Sequence, residues 1–329
     1  MAGNFRWVKR GDYPMRCLKC GQKACLEIRR HHAAFCPEHL LEHLHKQVAR
    51  AIKAYRMFTK EEKLLVAVSG GKDSLALWDI LLSMGYQAHG LYIDLGIPGY
   101  SETSRQKARN FASAKKAVLH EISLREIYGV DVGYIARKNA KTFCSACGLV
   151  KRYIMNLAAA SGGYDAIATG HNLDDEAAAL LGNLLYWQTG YLRRQSPHMP
   201  AGQGLARKVK PLCRLGERET SAYCLLQGID YVLEECPMSR GTHTLLYKEL
   251  LNKLEASAPG TKDQFYLGFL RTGRSFFHNR IEEPILKPCT KCGQPTTDEV
   301  CGFCRQMSRA GLDPLALRAA IVDSVGSGV

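Results

Sequence analysis

No run of apolar residues in this sequence approaches the ~20 needed to cross a bilayer. The first residues, with Arg6, Lys9 and Arg10, contain no apolar core of a secretory leader. These two absences predict a cytoplasmic protein with no membrane partner. Acidic residues are scarce beside basic ones: 31 Asp and Glu stand against 45 Lys and Arg, a formal net charge of +14. The imbalance favours a polyanionic partner such as RNA or DNA, although a merely soluble basic protein shows the same balance. The leading glycine of the common nucleotide-phosphate loop is also missing, because Val66 stands where that loop needs glycine ahead of Gly71-Lys72. Cysteine is plentiful, with thirteen in 329 residues. In a cytosolic chain that number points to metal or redox chemistry rather than a disulfide framework. The length gives room for one large domain with small appendages.

What is present around Val66 is a different phosphate cradle. Leu64 to Val68 reads as a buried strand, Ser69-Gly70-Gly71-Lys72-Asp73-Ser74 follows, and Ser74-Leu75-Ala76-Leu77-Trp78 opens an apolar-periodic helix. The glycines let backbone approach an anion, the free N–H groups at the helix start attract phosphate, and Lys72 adds a positive charge. The hexapeptide resembles the PP-loop of ATP pyrophosphatases, which implies splitting of ATP between the α- and β-phosphates and attachment of AMP to an oxygen. A bare small-residue turn between strand and helix is the alternative. Ala88 to Asp94 and Ala117 to Ile122 read as further strands, with a polar helix from Ser101 to Lys116 between them. Strand and helix in alternation predict an α/β fold built on a doubly wound parallel sheet, with ligands at the carboxyl ends of the strands. Ala67 and Ile93 fall near those ends, where an adenine ring would rest.

Two sets of cysteines have the spacing of closed tetrahedral zinc sites. Cys17-x2-Cys20 is followed by Cys36-x2-His39, and Cys289-x2-Cys292 by Cys301-x2-Cys304. Cys25 could compete in the first set but lacks a partner at that spacing. Such sites usually staple lobes too small to build a core of their own. The expected domains are therefore a zinc lobe over 1–45, a PP-loop catalytic domain over 46–285, a four-cysteine zinc ribbon over 286–310 and a tail over 311–329. A helix over about 40–58 carries Lys46, Arg50, Lys53 and Arg56, which suit either a phosphate backbone or solvent.

Of the six remaining cysteines, Cys144, Cys147 and Cys236 fall where the carboxyl ends of the sheet are expected. Cys213 and Cys224 have apolar neighbours and read as buried small hydrophobes. Three thiolates hold a [4Fe–4S] cluster with one iron open to another ligand. A Cys144/Cys147 persulfide or disulfide, or a third zinc, are the rival readings. Gly170-His171-Asn172-Leu173-Asp174-Asp175-Glu176 is a second glycine turn before a helix, whose acids suit either the helix dipole or Mg²⁺ on ATP. Tyr191 to Lys210 reads as a mobile basic loop, Tyr231 to Pro237 as a strand delivering Cys236, and Ala310 to Val329 as a short helix fraying at its end.

Taken together, the Cys-Cys-Cys-His set, the PP-loop, the central Cys-x2-Cys, the Glu235-Cys236-Pro237 cysteine and the terminal ribbon resemble the tRNA 2-thiouridine synthetases of the TtuA group. These are relatives of the archaeal and eukaryotic wobble-uridine thiolases. Tyr186 to Leu192 and Arg207 to Leu212 share the resemblance, which covers the chain to about Cys304. It implies an ATP-dependent tRNA sulfurtransferase in which Ser69 to Ser74 bind ATP, Asp73 and Asp175 are catalytic acids near the metal, and Gly170 lines the nucleotide pocket. It further implies that Lys151 contacts phosphate or activated uridine and that Cys144, Cys147 and Cys236 hold the cluster. Uridine O2 would be adenylated and displaced by sulfide from the open iron. The Trp187 region favours position 54 of the T-loop over wobble position 34. The implied partners are tRNA, a sulfur donor (free sulfide or a thiocarboxylated ubiquitin-like carrier) and a second copy of the chain. Two other classes remain open: a small-molecule amidotransferase or ligase, and a non-catalytic zinc-ribbon RNA-binding protein.

Overall fold

The computed structural model describes residues 15–239, 243–280 and 284–326. The Arg6, Lys9 and Arg10 stretch and the last three residues lie outside them. Six strands form one sheet in the order Leu119–Ser123, Gln87–Asp94, Lys63–Val68, Ala166–Thr169, Arg207–Val209, His198–Met199. The first five run parallel and the last is antiparallel. Val66 lies at the centre, in register with Gly90 on one side and Ala168 on the other. The order reverses between the strands Lys63–Val68 and Ala166–Thr169, which creates the crevice where doubly wound sheets bind their ligands.

Alternation along the central strand divides the core into two faces. Leu64, Val66 and Val68 join a cluster with Leu75, Leu77, Trp78 and the residues Phe35 and Leu40 of the N-terminal lobe. Leu65 joins the opposite cluster with Leu91, Ile154, Phe303, Met307 and Leu317. Because successive strand residues point to opposite sides, one six-residue strand nails both small lobes to the domain, one on each face. The 18-residue helix Pro37–Ala54 begins directly after Cys36 and crosses the expected boundary at residue 45 without a break. The C-terminal ribbon is seated by Phe303, whose ring stacks on Tyr153 with centroids 3.6 Å apart and planes 12° apart.

Two expectations need correction. Tyr191 to Lys210 is not a mobile loop: it takes in most of the helix Thr189–Arg194 and the last two strands of the sheet, His198–Met199 and Arg207–Val209. Val209 is fully buried and Arg207 and Lys210 pair with Glu62 and Glu176. Its Gly, Pro and Arg content masked a strand pattern only three residues long. Tyr231 to Pro237 is not a strand of the sheet, since its regular pairing is a single parallel bridge from Val232 to Gly71, followed by the 3₁₀ turn Pro237–Ser239. The short helix expected in the tail is present, and it is packed down. The helix Pro314–Gly326 buries Leu317, Ile321 and Val325 and packs on the helix Phe143–Ser161 and the edge strand Leu119–Ser123. Among the described residues, no helix is long and apolar enough to cross a membrane.

Candidate active site and metal centres

The cradle forms because the central strand ends at Val68 and the helix Lys72–Ser83 starts after only three intervening residues. Gly70 sits at φ +75°, and a Cβ there would lie 2.4 Å from the Ser104 carbonyl oxygen, so only glycine fits. Ser69 N–H donates to Ser74 Oγ at 3.1 Å and Ser74 Oγ donates to Gly71 O at 2.9 Å, closing the turn on itself. The second glycine turn docks against the first. A Cβ on Gly170 would meet the backbone of Asp73 and Ser74 at 2.9 Å. Gly170 therefore acts by letting the two helix starts touch.

Asp73 stands in the first turn of the cradle helix, and its carboxylate is gripped from three sides. Thr220 Oγ1 donates to Oδ1 at 2.5 Å, Asn172 Nδ2 to Oδ1 at 3.1 Å, and Lys72 Nζ to Oδ2 at 3.2 Å. Lys72 also reaches Glu217 at 2.7 Å. Burial opposes the Lys72 charge, but Asp73 and Glu217 outweigh it and raise its pKa. Asp175 caps its own helix: its side chain accepts from Asn172 N–H while Asn172 accepts from Asp175 N–H, both at 3.1 Å. Lys248 Nζ lies 2.6 Å from Asp175 Oδ1 and 3.5 Å from Glu217 Oε2. Burial would raise the Asp175 carboxyl, yet the Lys248 ammonium holds it below the usual carboxylate range. Lys72, Lys248, Glu217 and Thr220 thus complete a network around two expected acids. Of these four, sequence reasoning singled out only Lys72; Glu217, Thr220 and Lys248 lie far along the chain from Asp73, on helices with no motif of their own.

One cavity joins the expected nucleotide residues to the expected sulfur residues. Ala67, Ser69 and Ile93 line one part of it, and Lys151, Cys147 and Cys236 another. Cys147 and Lys151 sit one helical turn apart on the helix Phe143–Ser161, whose N-cap Thr142 accepts from Ser145 N–H. Burial pushes the Cys147 thiol up, Lys151 draws it down, and the nearby Cys236 and Cys144 add to the rise. Cys144 is exposed, with its Sγ 3.6 Å from the Met238 carbonyl, so the loop carrying Cys236 folds back over the helix start. Cys147 and Cys236 line one cavity and Cys144 lies on the same helix start, but among the described residues the three thiols do not form a group with all ligand atoms within 4.8 Å of one another.

Both tetrahedral sets do form such tight groups: Cys17, Cys20, Cys36 and His39, and Cys289, Cys292, Cys301 and Cys304. Metal–thiolate bonds of about 2.3 Å place tetrahedral sulfurs about 3.8 Å apart. Cys20 and Cys36 Sγ are 3.7 Å apart, as are Cys292 and Cys301 Sγ, and His39 Nδ1 lies 3.5 Å from Cys17 Sγ. Cys25 is exposed and stays outside the set. Cys213 and Cys224 are fully buried, as expected of small hydrophobes.

Residues 40–240 match the PP-loop domain family. The chain is 50% identical over 291 residues to the tRNA-5-methyluridine(54) 2-sulfurtransferase of Thermus thermophilus, covering 88% of this chain and 90% of that one. It is 44% identical to the enzyme of the same name from Pyrococcus horikoshii, covering 88% and 93%. Its fold matches that of the U34-tRNA thiolase NcsA from Methanococcus maripaludis, solved with its [4Fe-4S] cluster, at TM-score 0.74 and 23% identity over 89% of this chain and 96% of that one. By its PP-loop domain and these relatives over nearly nine-tenths of its length, the chain belongs to the PP-loop family, in its tRNA 2-sulfurtransferase (TtuA) group.

Proposed function

We propose that the protein replaces O2 of uridine 54 in the tRNA T-loop with sulfur at the expense of ATP, the position given in the names of its relatives from Thermus and Pyrococcus. The observation that supports this reading is the single cavity shared by Ala67, Ser69 and Ile93 with Lys151, Cys147 and Cys236. A nucleotide seated at the first group brings its α-phosphate toward the second.

In the first step uridine O2 attacks the α-phosphorus, the bond to the bridging oxygen breaks, and pyrophosphate leaves. In the second a sulfur nucleophile attacks C2 and the C2–O2 bond breaks to release AMP, so oxygen departs as a phosphate ester rather than as hydroxide. Ser69 to Ser74 cradle the phosphates, and Lys151, on the wall between nucleotide and cysteines, stabilises charge on the α-phosphate or the activated uridine. Asp73 and Asp175 would hold the Mg²⁺ of ATP, and Lys72 and Lys248, which lie against these carboxylates, would contact the phosphates. Leu91, Ile97 and Met155 line the same cavity and limit the water that would regenerate uridine. Cys144, Cys147 and Cys236 hold a [4Fe–4S] cluster, which supplies an open iron able to carry sulfide. The two tetrahedral sets hold zinc and staple the lobes over 1–45 and 286–310 to a catalytic domain over 46–285, with the tail over 311–329. Sulfur arrives as free sulfide or as the thiocarboxylate of a small ubiquitin-like carrier, and the protein works in the cytoplasm as a homodimer.

The experiment is metal and sulfide analysis of anaerobically purified protein beside a thiolation assay on unmodified tRNA. Two zincs with about four irons and four sulfides per chain, and loss of the irons and of thiolation in Cys236→Ala with both zincs retained, are expected. Full iron content and activity in that variant would overturn the cluster assignment. Two zincs with no iron after anaerobic reconstitution would replace it with a Cys144/Cys147 persulfide.

A further inference from the structure

A second concave surface lies away from the ATP cavity. The N-terminal lobe, the helix Pro37–Ala54, the turn at Arg214 and the helix Thr261–Arg271 enclose an open groove of about 1160 Å³. Among the described residues, four arginines line it, Arg30, Arg50, Arg214 and Arg271, and Asp263 is the one acidic residue on its wall.

These arginines are not equally engaged. Arg30 is committed to structure, bound through Nη2 to Glu219 Oε2 at 2.7 Å and through Nε to Asp263 at 3.3 Å. Arg214 donates to the neutral Gln47 at 3.3 Å and Arg271 to the neutral Gln264 at 3.3 Å. Among the described residues, no carboxylate lies within 4.0 Å of Arg50, Arg214 or Arg271, whereas most other lysines and arginines near the domain core find one. Asp263 on the same lining attracts Arg30 and Arg214 at longer range, but Arg50, Arg214 and Arg271 have no carboxylate at ion-pair distance, and an anion in the groove would relieve their mutual repulsion.

The field of Arg30, joined by Arg50 and Arg214, is felt by the neighbouring histidines. His31 and His43, with ring nitrogens 3.2 Å apart, are each held down to about 4 by burial and then by the surrounding arginines. His43 also stacks on Phe35, centroids 4.6 Å apart. The wall thus offers fixed positive charge, neutral imidazoles and a flat ring. The basic stripe of the helix Pro37–Ala54 is resolved by the same geometry. Lys46 pairs with Glu42, Lys53 and Arg56 face another hollow beside Arg207, and Arg50 turns into the groove.

We propose that this groove takes the phosphodiester backbone of the RNA substrate, with Arg50, Arg214 and Arg271 as its phosphate contacts. The inference rests on the tRNA reading above and adds where the RNA lies. A linear polyanion suits the site better than a compact one, because the three arginines stand on three different elements around an open trough. Arg30 also donates to the Arg214 carbonyl at 3.1 Å and binds Glu219, in the helix whose Thr220 grips Asp73. RNA held in the groove therefore lies on the scaffold that aligns the cradle.

The test is binding of unmodified tRNA transcript by wild type and Arg50→Ala/Arg271→Ala over a salt series, with zinc content and ATP binding as controls for folding. Each lost phosphate contact lowers the slope of log K against log salt by about one unit. The double variant should therefore lose about two units of slope and raise KM for tRNA, with kcat at saturating tRNA unchanged. Wild-type slope and affinity in the variant would overturn the proposal. So would loss of inorganic tripolyphosphate binding with tRNA binding intact, which would make the groove a small-anion site. Because the slope is read without turnover, a wild type that binds tRNA but fails to thiolate it refutes the functional reading and leaves the groove measurable.

Discussion

Asp73 and Asp175 illustrate how little of a carboxylate's behaviour resides in its own residue. Asp73 is held by a hydroxyl, an amide and an ammonium from three separate elements, and Asp175 shares Lys248 with Glu217. Substituting Lys248 by Met removes the largest influence opposing burial and leaves only the Asn172 N–H and His171 against it, so the Asp175 carboxyl should titrate higher, as carboxyl NMR would read. The stability consequence has a definite sign. A folded-state pKa below the unfolded one gives stability that is whole above the ordinary carboxylate pKa and is lost as pH falls through the lower folded value. Lys248→Met should therefore cost about 1–2 kcal/mol near neutral pH, between exposed and buried pairs, and wild type and variant should converge in acid when followed by urea unfolding. At Gly70, alanine needs both the left-handed backbone and space occupied by the Ser104 carbonyl. Gly70→Ala should lose ATP binding, measured by calorimetry, and more than ~1 kcal/mol of stability.

Each small element of this protein is tied to the domain by a specific apolar or ionic anchor. The ribbon and the helix Pro314–Gly326 cover the outer side of the helix Phe143–Ser161, which carries Cys144, Cys147 and Lys151 on its first turns. Leu317→Ala, at a fully buried position, should cost about 2–5 kcal/mol in denaturant unfolding. Cys292→Ser should remove one zinc by metal analysis while the other set keeps its own. On the opposite face the ion pair of Arg30 with Glu219 anchors the N-terminal lobe. Glu219 is nearly fully buried, and burial raises its carboxyl despite Arg30. Arg30→Met strands that charge, so a loss of about 3–5 kcal/mol is expected, with faster hydrogen exchange in the lobe.

At the scale of the whole molecule, the chain itself determined every feature that depends on local spacing. The glycine–lysine turn after an apolar run, Cys-x2-Cys pairs and the alternation of strand with helix are local, because turn geometry, ligand bite and hydrophobic period are each set within a few residues. The sheet, the cradle and both tetrahedral sets were readable for that reason. Long-range placement was not. The two strands within 191–210 are too short to show a period, and their pairing is set in space, Arg207–Val209 on Ala166–Thr169 and His198–Met199 on Arg207–Val209. The path of Tyr231 to Pro237 depends on one bridge to Gly71. The partners Thr220, Glu217 and Lys248 of the two acids, and the grouping of Arg50, Arg214 and Arg271 on one wall, join residues far apart in sequence. Only tertiary structure decides these, since charge and hydrogen-bond partners are chosen by proximity in space, and no period or motif in the chain encodes them.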